Sequence, residues 1–310
     1  LEAIFMDILS LFSLQGTLFA MMLIGAWLKK RGMIDEAGKR CLTDLCLNLI
    51  IPCNIFKSFL IDFSLDLLQT CSLLLLLAIL MELICLLCNQ WLFNGYQPQR
   101  KKVLQYCTIV PMSGFLGNPI AEGIYGDMGI LYASIFLVPM RVVMWSVGTS
   151  YFVADEKVDR KKVIKNILTH PCLLSIYLGL FVMMTQLPVP AVIAQTAQYI
   201  GACNSAVSML IVGTILADVK LSSIINRDTL LFSLFRLGAL PAAALGIGYL
   251  LGLDSLSLGV GVLMTGMPAG ATAAIFAARY HSDAVFATQC VVMTTLVSMV
   301  TLPVWSYLVG

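Results

Sequence analysis

Charged residues are scarce in this chain of 310 residues: Lys, Arg, Asp and Glu together make up 12% of it. Ordinary globular domains carry about 25% charged residues. By contrast, 59% of the residues are hydrophobic and the mean hydropathy is +0.92. The composition therefore excludes an ordinary water-soluble domain and predicts an integral membrane protein.

Motifs for enzymatic, metal or nucleic-acid chemistry are also lacking. The sequence has no HExxH or GxSxG motif and no paired acidic motif, so we do not expect an enzyme. Cys85 and Cys88 form one CxxC motif without a second pair or a nearby histidine, so we expect neither a metal site nor a cofactor. No basic block beside aromatic residues indicates nucleic acid, and no signal peptide is expected at the first ten residues.

The chain also lacks the alternation of apolar and polar residues that is typical of a membrane β-barrel. Apolar segments of about 20 residues recur instead, which is the length that crosses a bilayer as a helix. We predict an all-α integral membrane protein with about ten transmembrane helices. Residues 1–153 form a first five-helix repeat, 154–166 a cytoplasmic linker, and 167–310 a second, inverted five-helix repeat. The predicted spans are 9–28, 39–60, 67–91, an interrupted span through 111–127, 130–153, 167–184, 192–216, 229–251, 257–278 and 284–309.

The basic residues indicate an orientation. Sixteen of the 19 Lys and Arg residues lie in alternate connections, for example at 29–40, 100–102 and 157–165. The positive-inside rule places these connections in the cytoplasm. We therefore expect a multi-pass protein of the cell (plasma or inner) membrane with both termini outside. Five spans per half is an odd number, so the second half enters the membrane from the opposite side.

Two of the predicted spans are interrupted by helix-breaking residues. Residues 111–127 contain two prolines and four glycines, and residues 259–278 contain Pro268 between Gly266 and Gly270. As the fourth and ninth spans, these stretches occupy equivalent positions in the two repeats. Such paired interruptions are typical of the binding site of a secondary transporter. Crossed broken helices 4 and 9 also present free N–H groups, which suit an anionic substrate.

Arg141 lies near the middle of the fifth predicted span. An arginine at this depth costs about 2.5 to 3.5 kcal/mol on insertion scales, so it needs an acceptor. One interpretation is that Arg141 binds an organic anion, and the other is a structural ion pair with Glu122 or Glu82. Glu122 and Glu82 are also the candidates for coupling a proton to transport, although structural pairing is the favoured interpretation for Glu82.

Two further basic residues lie inside predicted spans. Arg236 is about two turns from the cytoplasmic end of its helix, so we expect its side chain to snorkel to the membrane surface. Lys57 lies near the outer end of the second span and close to Asp62, so a snorkelling or paired lysine is expected there.

Small polar residues mark the second, fourth and seventh spans, notably Asn54, Asn118 and Asn204. Hydrogen bonds between helices explain most single polar residues in a membrane. The concentration of these residues on three spans favours the lining of a cavity. The predicted substrate-binding residues are Asn54, Asn118, Pro119, Arg141, Asn204, Pro268 and Gly270.

Three stretches resemble the auxin efflux carrier family, which includes bacterial members of the malate-permease type. They are LNLIIPCNIFKSFL at 47–60, GFLGNPIAEGIYGDMG at 114–129, and the segment 267–303 that begins MPAGATAAIF. The short linker after the fifth span resembles that of prokaryotic members. The chain has Ala206 where the family often has a proline, so the site around the seventh span is less closely preserved.

The resemblance implies a secondary transporter that moves a small organic anion, such as malate or an auxin-like acid, by elevator-type alternating access. It also implies crossed broken helices with Pro119 and Pro268 at the crossing, and a homodimer. The expected partners are the organic anion, the lipid bilayer, and a coupled proton or sodium ion if one is used. The alternatives are a sodium-coupled organic anion symporter of the bile-acid type and a membrane sensor that does not transport.

Overall fold

The computed structural model describes residues 2–152, 165, 168–217, 224–280 and 282–309. The predicted linker at 154–166 therefore lies outside the described residues except for residue 165. The regular secondary structure of the described residues is helical, and the one sheet-like pairing among them is a single bridge between Pro111 and Ala269. The predicted all-α class is confirmed.

Five helical stretches are long and apolar enough to cross a membrane among the residues described, and two further apolar helices, Pro171–Thr185 and Ser255–Thr265, are shorter. Large apolar side chains such as Leu23, Leu87 and Leu178 are more than half exposed to the surroundings, as expected for a surface in contact with lipid. The count of ten spans and the repeat topology stay predictions. The five stretches are Leu65–Trp91, Ser113–Phe152, Ala191–Ala217, Arg227–Leu250 and Ala284–Val309.

The chain divides into two compact units that interleave along the sequence. Unit 1 comprises residues 1–73, 114–135 and 168–218, and unit 2 comprises residues 74–113, 136–167 and 219–310. This division follows spatial contacts, so it differs in kind from the predicted division into repeats at 153 and 167.

Unit 1 is held together by close helix crossings at glycine. A Cβ atom at Gly25 would lie 2.3 Å from the Leu210 carbonyl oxygen, and one at Gly213 would lie 2.0 Å from that of Met22. The absence of both side chains lets two backbones meet, a common device between membrane helices. Unit 1 contains the beginnings of α4 (Leu65–Trp91) and α6 (Asn118–Val143), and helix α5 (Pro98–Ile109) belongs to unit 2. The complete helices of unit 1 are α1 (Glu2–Lys30), α2 (Glu36–Leu45), α3 (Ile51–Ser58), α8 (Pro171–Thr185), α9 (Ala191–Ala202) and α10 (Asn204–Ala217).

Helix α6 turns back on itself at Gly126. Gly126 has φ 61° and ψ −146°, a conformation that glycine adopts without strain. A Cβ atom at Gly129 would lie 2.1 Å from the carbonyl oxygen of Ala121. In a straight helix these residues would be about 12 Å apart, since each residue adds about 1.5 Å. The turn falls between the predicted fourth and fifth spans.

Unit 2 encloses an aromatic cluster and a buried apolar core. The rings of Tyr106, Phe152, Phe276 and Tyr280 lie with neighbouring centroids 5.4–6.5 Å apart. The Tyr106 hydroxyl donates to Thr272 Oγ1 at 3.0 Å, which ties α5 to a helix far along the chain. The helices of unit 2 are the remaining parts of α4 and α6, then α5, α7 (Thr149–Phe152), α11 (Arg227–Leu234), α12 (Leu240–Leu250), α13 (Ser255–Thr265), α14 (Thr272–Arg279) and α15 (Ala284–Val309).

Candidate functional site

Two unwound segments pair with each other inside unit 2. The Met112 N–H donates to the Pro268 carbonyl at 2.7 Å, and the Gly270 N–H donates to the Val110 carbonyl at 2.8 Å. Helix α5 ends here because Pro111 disfavours helical geometry in the preceding Val110, which has φ −119° and ψ 93°. The two broken helices thus provide hydrogen-bond partners for some of each other's backbone N–H and carbonyl groups, which apolar surroundings require. We call residues 110–112 and 268–270 the crossing.

Neighbouring side chains fix the crossing in place. A Cβ atom at Gly270 would lie 2.8 Å from the Val110 carbonyl oxygen, so only glycine allows this approach. The Ala269 N–H donates to Thr294 Oγ1 at 3.0 Å, and Ser113 Oγ donates to the Met264 carbonyl at 3.2 Å. The crossing is therefore a rigid feature of unit 2.

The backbone around Pro111 forms the crossing with the segment that contains Pro268, and the place of Pro119 at a helix crossing stays a prediction. Pro119 is the second residue of α6. A π-helical turn over Ser113–Gly117 precedes it directly, so Pro119 lies inside one helical stretch and cannot donate to an earlier carbonyl of that stretch. Pro111 instead follows a helix end, where an extended backbone can pair with a second chain segment.

A small buried cavity of about 20 Å³ lies beside the crossing. A cavity needs about 10 to 15 Å³ to hold a water molecule, so this one has room for about one. Among the residues that line it are Glu82, Thr108, Pro111, Arg236 and Thr265. A carboxylate and a guanidinium of unit 2 thus line the same cavity, which has room for about one water molecule.

Arg236 is buried, with 2% of its surface exposed, so the expectation that it snorkels was wrong. It lies nine residues after Arg227, about 14 Å along the helix axis, which is deeper than two turns from the helix start. Among the residues that the structure describes, its Nε and Nη2 atoms have no hydrogen-bond partner, and the same is true of Glu82 Oε2. Buried charged groups ordinarily have hydrogen-bond partners, so these atoms without partners distinguish this site from an ordinary protein interior.

The backbone around Arg236 is widened into a π-helical turn over Phe235–Ala239. Pro241 follows and has no N–H to donate to the Leu237 carbonyl four residues earlier. The Trp305 indole N–H donates to that carbonyl instead, at 2.7 Å. Single π-helical turns are frequent at functional sites, and this one carries the buried arginine.

A network of charged and polar side chains connects α3 with α6 in unit 1. Asn54 Nδ2 donates to Glu122 Oε2 at 3.0 Å, and Lys57 Nζ contacts Glu122 Oε1 at 3.3 Å and Asp127 Oδ1 at 3.0 Å. Asn54 and Lys57 are three residues apart and so share one face of α3. We call these four residues the unit 1 network. Lys57 is paired as expected, but with Glu122 and Asp127 rather than Asp62.

Three buried asparagines of unit 1 have polar atoms that find no hydrogen-bond partner in the described part of the chain. The atoms are Asn54 Oδ1, Asn118 Oδ1 and Asn204 Nδ2, and each residue is at most 1% exposed. Asn204 Oδ1 accepts from Ser208 at 3.1 Å. A Cβ atom at Gly201 would lie 2.9 Å from the Asn54 Cα, so α9 packs directly on the backbone of Asn54. Buried polar atoms left open in this way are suited to a ligand or to water.

The model of the membrane transport protein family matches residues 15–306 of the chain. The chain belongs to this family. The family is the auxin efflux carrier family that the sequence resembles, and its transporter relatives agree with a protein that transports a small molecule across a lipid bilayer.

Relatives in archaea and bacteria match almost end to end. An uncharacterized transporter of Methanothermobacter thermautotrophicus is 27% identical over 94% of this chain and 95% of its own length. The uncharacterized transporter MJ1031 of Methanocaldococcus jannaschii is 20% identical over 93% and 95%. The uncharacterized transporter YfdV of Escherichia coli is 23% identical over 94% and 95%. The protein is thus a multi-pass membrane transporter of this family.

The two units hold different members of the predicted site of this transporter. In unit 2, Pro268 and Gly270 lie at the crossing, Glu82 lines the cavity beside it, and Arg141 is buried with 6% of its surface exposed. Unit 1 contains Asn54, Glu122, Asn118, Pro119 and Asn204, of which Asn54 and Glu122 are in direct contact. The cation that contacts Glu122 is Lys57, and the cation that shares a cavity with Glu82 is Arg236.

Arg236 is the residue whose place sequence reasoning missed. The available signal was Pro241, because a proline five residues after a charged residue in an apolar span indicates a local opening of the helix. The predicted distance of Arg236 from the helix start, taken alone, indicates a snorkelling side chain instead of a buried one.

Proposed function

We propose that this transporter is a secondary transporter for a small organic carboxylate, such as malate or an auxin-like acid. The observation that carries the proposal is the crossing in unit 2, where two apolar helices are unwound beside the buried Arg236. Helix α14 starts at Thr272, directly after the crossing. The partial positive charge at the N-terminus of α14 and the Arg236 guanidinium both favour an anion.

We also propose ten spans in two inverted repeats and elevator-type alternating access, in which one compact unit carries the substrate. The composition of the units supports this. The first predicted repeat contributes 1–73 and 114–135 to unit 1 and the rest to unit 2, and the second contributes 168–218 to unit 1 and 219–310 to unit 2. Both repeats thus supply their first two spans to unit 1 and most of their third and fifth spans to unit 2, whereas the fourth span, 111–127, lies mostly in unit 1 and its counterpart, 257–278, lies in unit 2.

The proposed substrate-binding groups are the same residues that the sequence predicts. In unit 2 they are the backbone at Pro268 and Gly270 and the Arg141 guanidinium, and Glu82 is a candidate for proton coupling. In unit 1 they are Asn54, Asn118, Pro119 and Asn204, with Glu122 as the second coupling candidate. We further propose the cell membrane as the location, with both termini outside and the basic connections in the cytoplasm.

The first test is a thermal-shift screen of the purified protein with a panel of carboxylates, each with and without sodium and at two pH values. A ligand at a hundredfold excess over its Kd stabilises the folded state by about 2.7 kcal/mol. Stabilisation without sodium supports the proposal. Stabilisation only with sodium favours a sodium-coupled symporter, and a ligand that binds but is not taken up by proteoliposomes favours a sensor.

A second test addresses Arg141. Arg141→Ala removes the proposed charge for the anion, so it should abolish carboxylate uptake while the protein stays folded in detergent. Unchanged uptake by this variant would exclude Arg141 from the site.

A further inference from the structure

Arg236 offers an open fork of hydrogen-bond donors. The two atoms without partners are Nε and Nη2, whose N–H groups point in parallel from one edge of the guanidinium. This edge matches the two oxygens of a carboxylate and forms the strong bidentate pair. The side chain is 2% exposed, so bulk water does not compensate for the open fork.

Glu82 is the carboxylate in the cavity that Arg236 lines. Its Oε2 is buried without a hydrogen-bond partner, so within the described residues it does not occupy the fork. Arg236 is the charged group whose field acts on Glu82, and the other titratable groups facing the pair are the thiols of Cys85 on α4 and Cys107 on α5. The remaining cavity wall from α5, α6 and α13 carries Thr108, Met140 and Thr265, which do not titrate.

One negative charge therefore balances Arg236, and two candidates exist for that charge. When Glu82 is ionised, it neutralises the guanidinium across the cavity. A second anion entering the same buried space would leave one negative charge in excess, which an apolar interior disfavours. When Glu82 carries a proton, the guanidinium is left without a counter-charge and attracts a carboxylate.

We propose that Arg236 binds the carboxylate of the transported anion and that Glu82 takes up one proton when it does so, which makes the protein a proton–anion symporter. This inference rests on the proposed carboxylate transport and adds its coupling ion. A proton and a monoanion together add no net charge to the site. The cavity has room for about one water molecule, so the side chains around it must move apart to admit the anion.

The inference predicts proton uptake on binding in the unmodified protein. Binding of malate, acetate and indole-3-acetate is measured by calorimetry in two buffers that differ in ionisation enthalpy. The bound probe should take up about one proton, and its Kd should rise about tenfold per pH unit above the pH at which free Glu82 ionises. Binding without proton uptake would overturn the coupling but leave carboxylate transport standing. If no probe binds at any pH, the proposed function fails as well.

Substitutions test the roles of Glu82 and Arg236 separately. Glu82→Gln resembles the protonated carboxyl, so the proton uptake and the pH dependence should both disappear while binding persists at high pH. Arg236→Gln should abolish binding at every pH. Arg100→Gln, a charge removed from an exposed cluster with Asp228 and Asp283, is the matched control and should keep the proton uptake. Retained pH dependence in Glu82→Gln would overturn the proposal, and if that variant does not fold, the proton count in the unmodified protein decides.

Discussion

The charged groups of the two units differ in how completely their neighbours satisfy them. In unit 1, Lys57 contacts two carboxylates, and Glu122 also accepts from Asn54. In unit 2, Glu82 and Arg236 line one cavity, yet both have charged side-chain atoms with no hydrogen-bond partner among the described residues. A satisfied network stabilises and rigidifies a fold, whereas open buried charges are costly unless a ligand meets them. The difference teaches that a charge inside a membrane span indicates a binding site only when its local partners leave it open.

The close contacts between helices at the glycines of unit 1 should be the positions where a substitution destabilises the protein most. Gly213→Ala places a methyl group about 2.0 Å from the Met22 carbonyl oxygen, which forces α1 and α10 apart. We expect loss of monodisperse protein in detergent, measured by size-exclusion chromatography. Gly246→Ala is the control, because a Cβ atom there meets nothing within 4 Å. Equal behaviour of the two variants would contradict this structural account.

Breaking the unit 1 network should weaken the fold. Lys57→Gln leaves Glu122 and Asp127 without their cation, at a cost of about 1 to 3 kcal/mol in the free energy of unfolding. The side chains of Lys57 and Glu122 are 19% and 23% exposed, so the cost falls short of that of a fully buried pair. Thermal unfolding in detergent measures it. The control is Lys101→Gln, whose ammonium donates to Asn94 at an exposed place. A variant as stable as this control would mean that the network does not contribute to stability.

Loosening the crossing should have a smaller effect on stability. Thr294→Val leaves the Ala269 N–H without an acceptor, whereas Thr295→Val removes a hydroxyl that donates only to its own helix. Both threonines are fully buried. We expect Thr294→Val to be less stable than Thr295→Val by about 1 kcal/mol, and to transport more slowly. The same loss in both variants would show that the hydroxyl does not support the crossing.

The sequence was sufficient for the fold class and for the place of the interruptions. Scarce charges and long apolar segments predict membrane helices, and Pro111, Pro268 and Gly270 all lie in the unwound crossing. These features are local, because a proline or glycine changes backbone geometry wherever it occurs.

Side-chain partners were not predictable in the same way. Lys57 has Asp62 nearby in sequence but pairs with Glu122 and Asp127 on another helix. A snorkelling Arg236 requires a place near the helix end, but Arg236 lies about 14 Å from the helix start and is 2% exposed. Pairing of this kind depends on which helices pack together, and the spacing of residues along the chain does not contain that information.

The most direct test of the account compares the affinity of two variants for the same carboxylate. Arg236→Gln removes the open fork of unit 2, and Arg100→Gln removes a cation from a partly exposed cluster of the same unit. We predict that Arg236→Gln binds at least about a hundredfold more weakly, a loss of about 2.7 kcal/mol, while Arg100→Gln keeps the Kd of the unmodified protein. Unchanged binding in Arg236→Gln would contradict the proposal that its guanidinium holds the carboxylate.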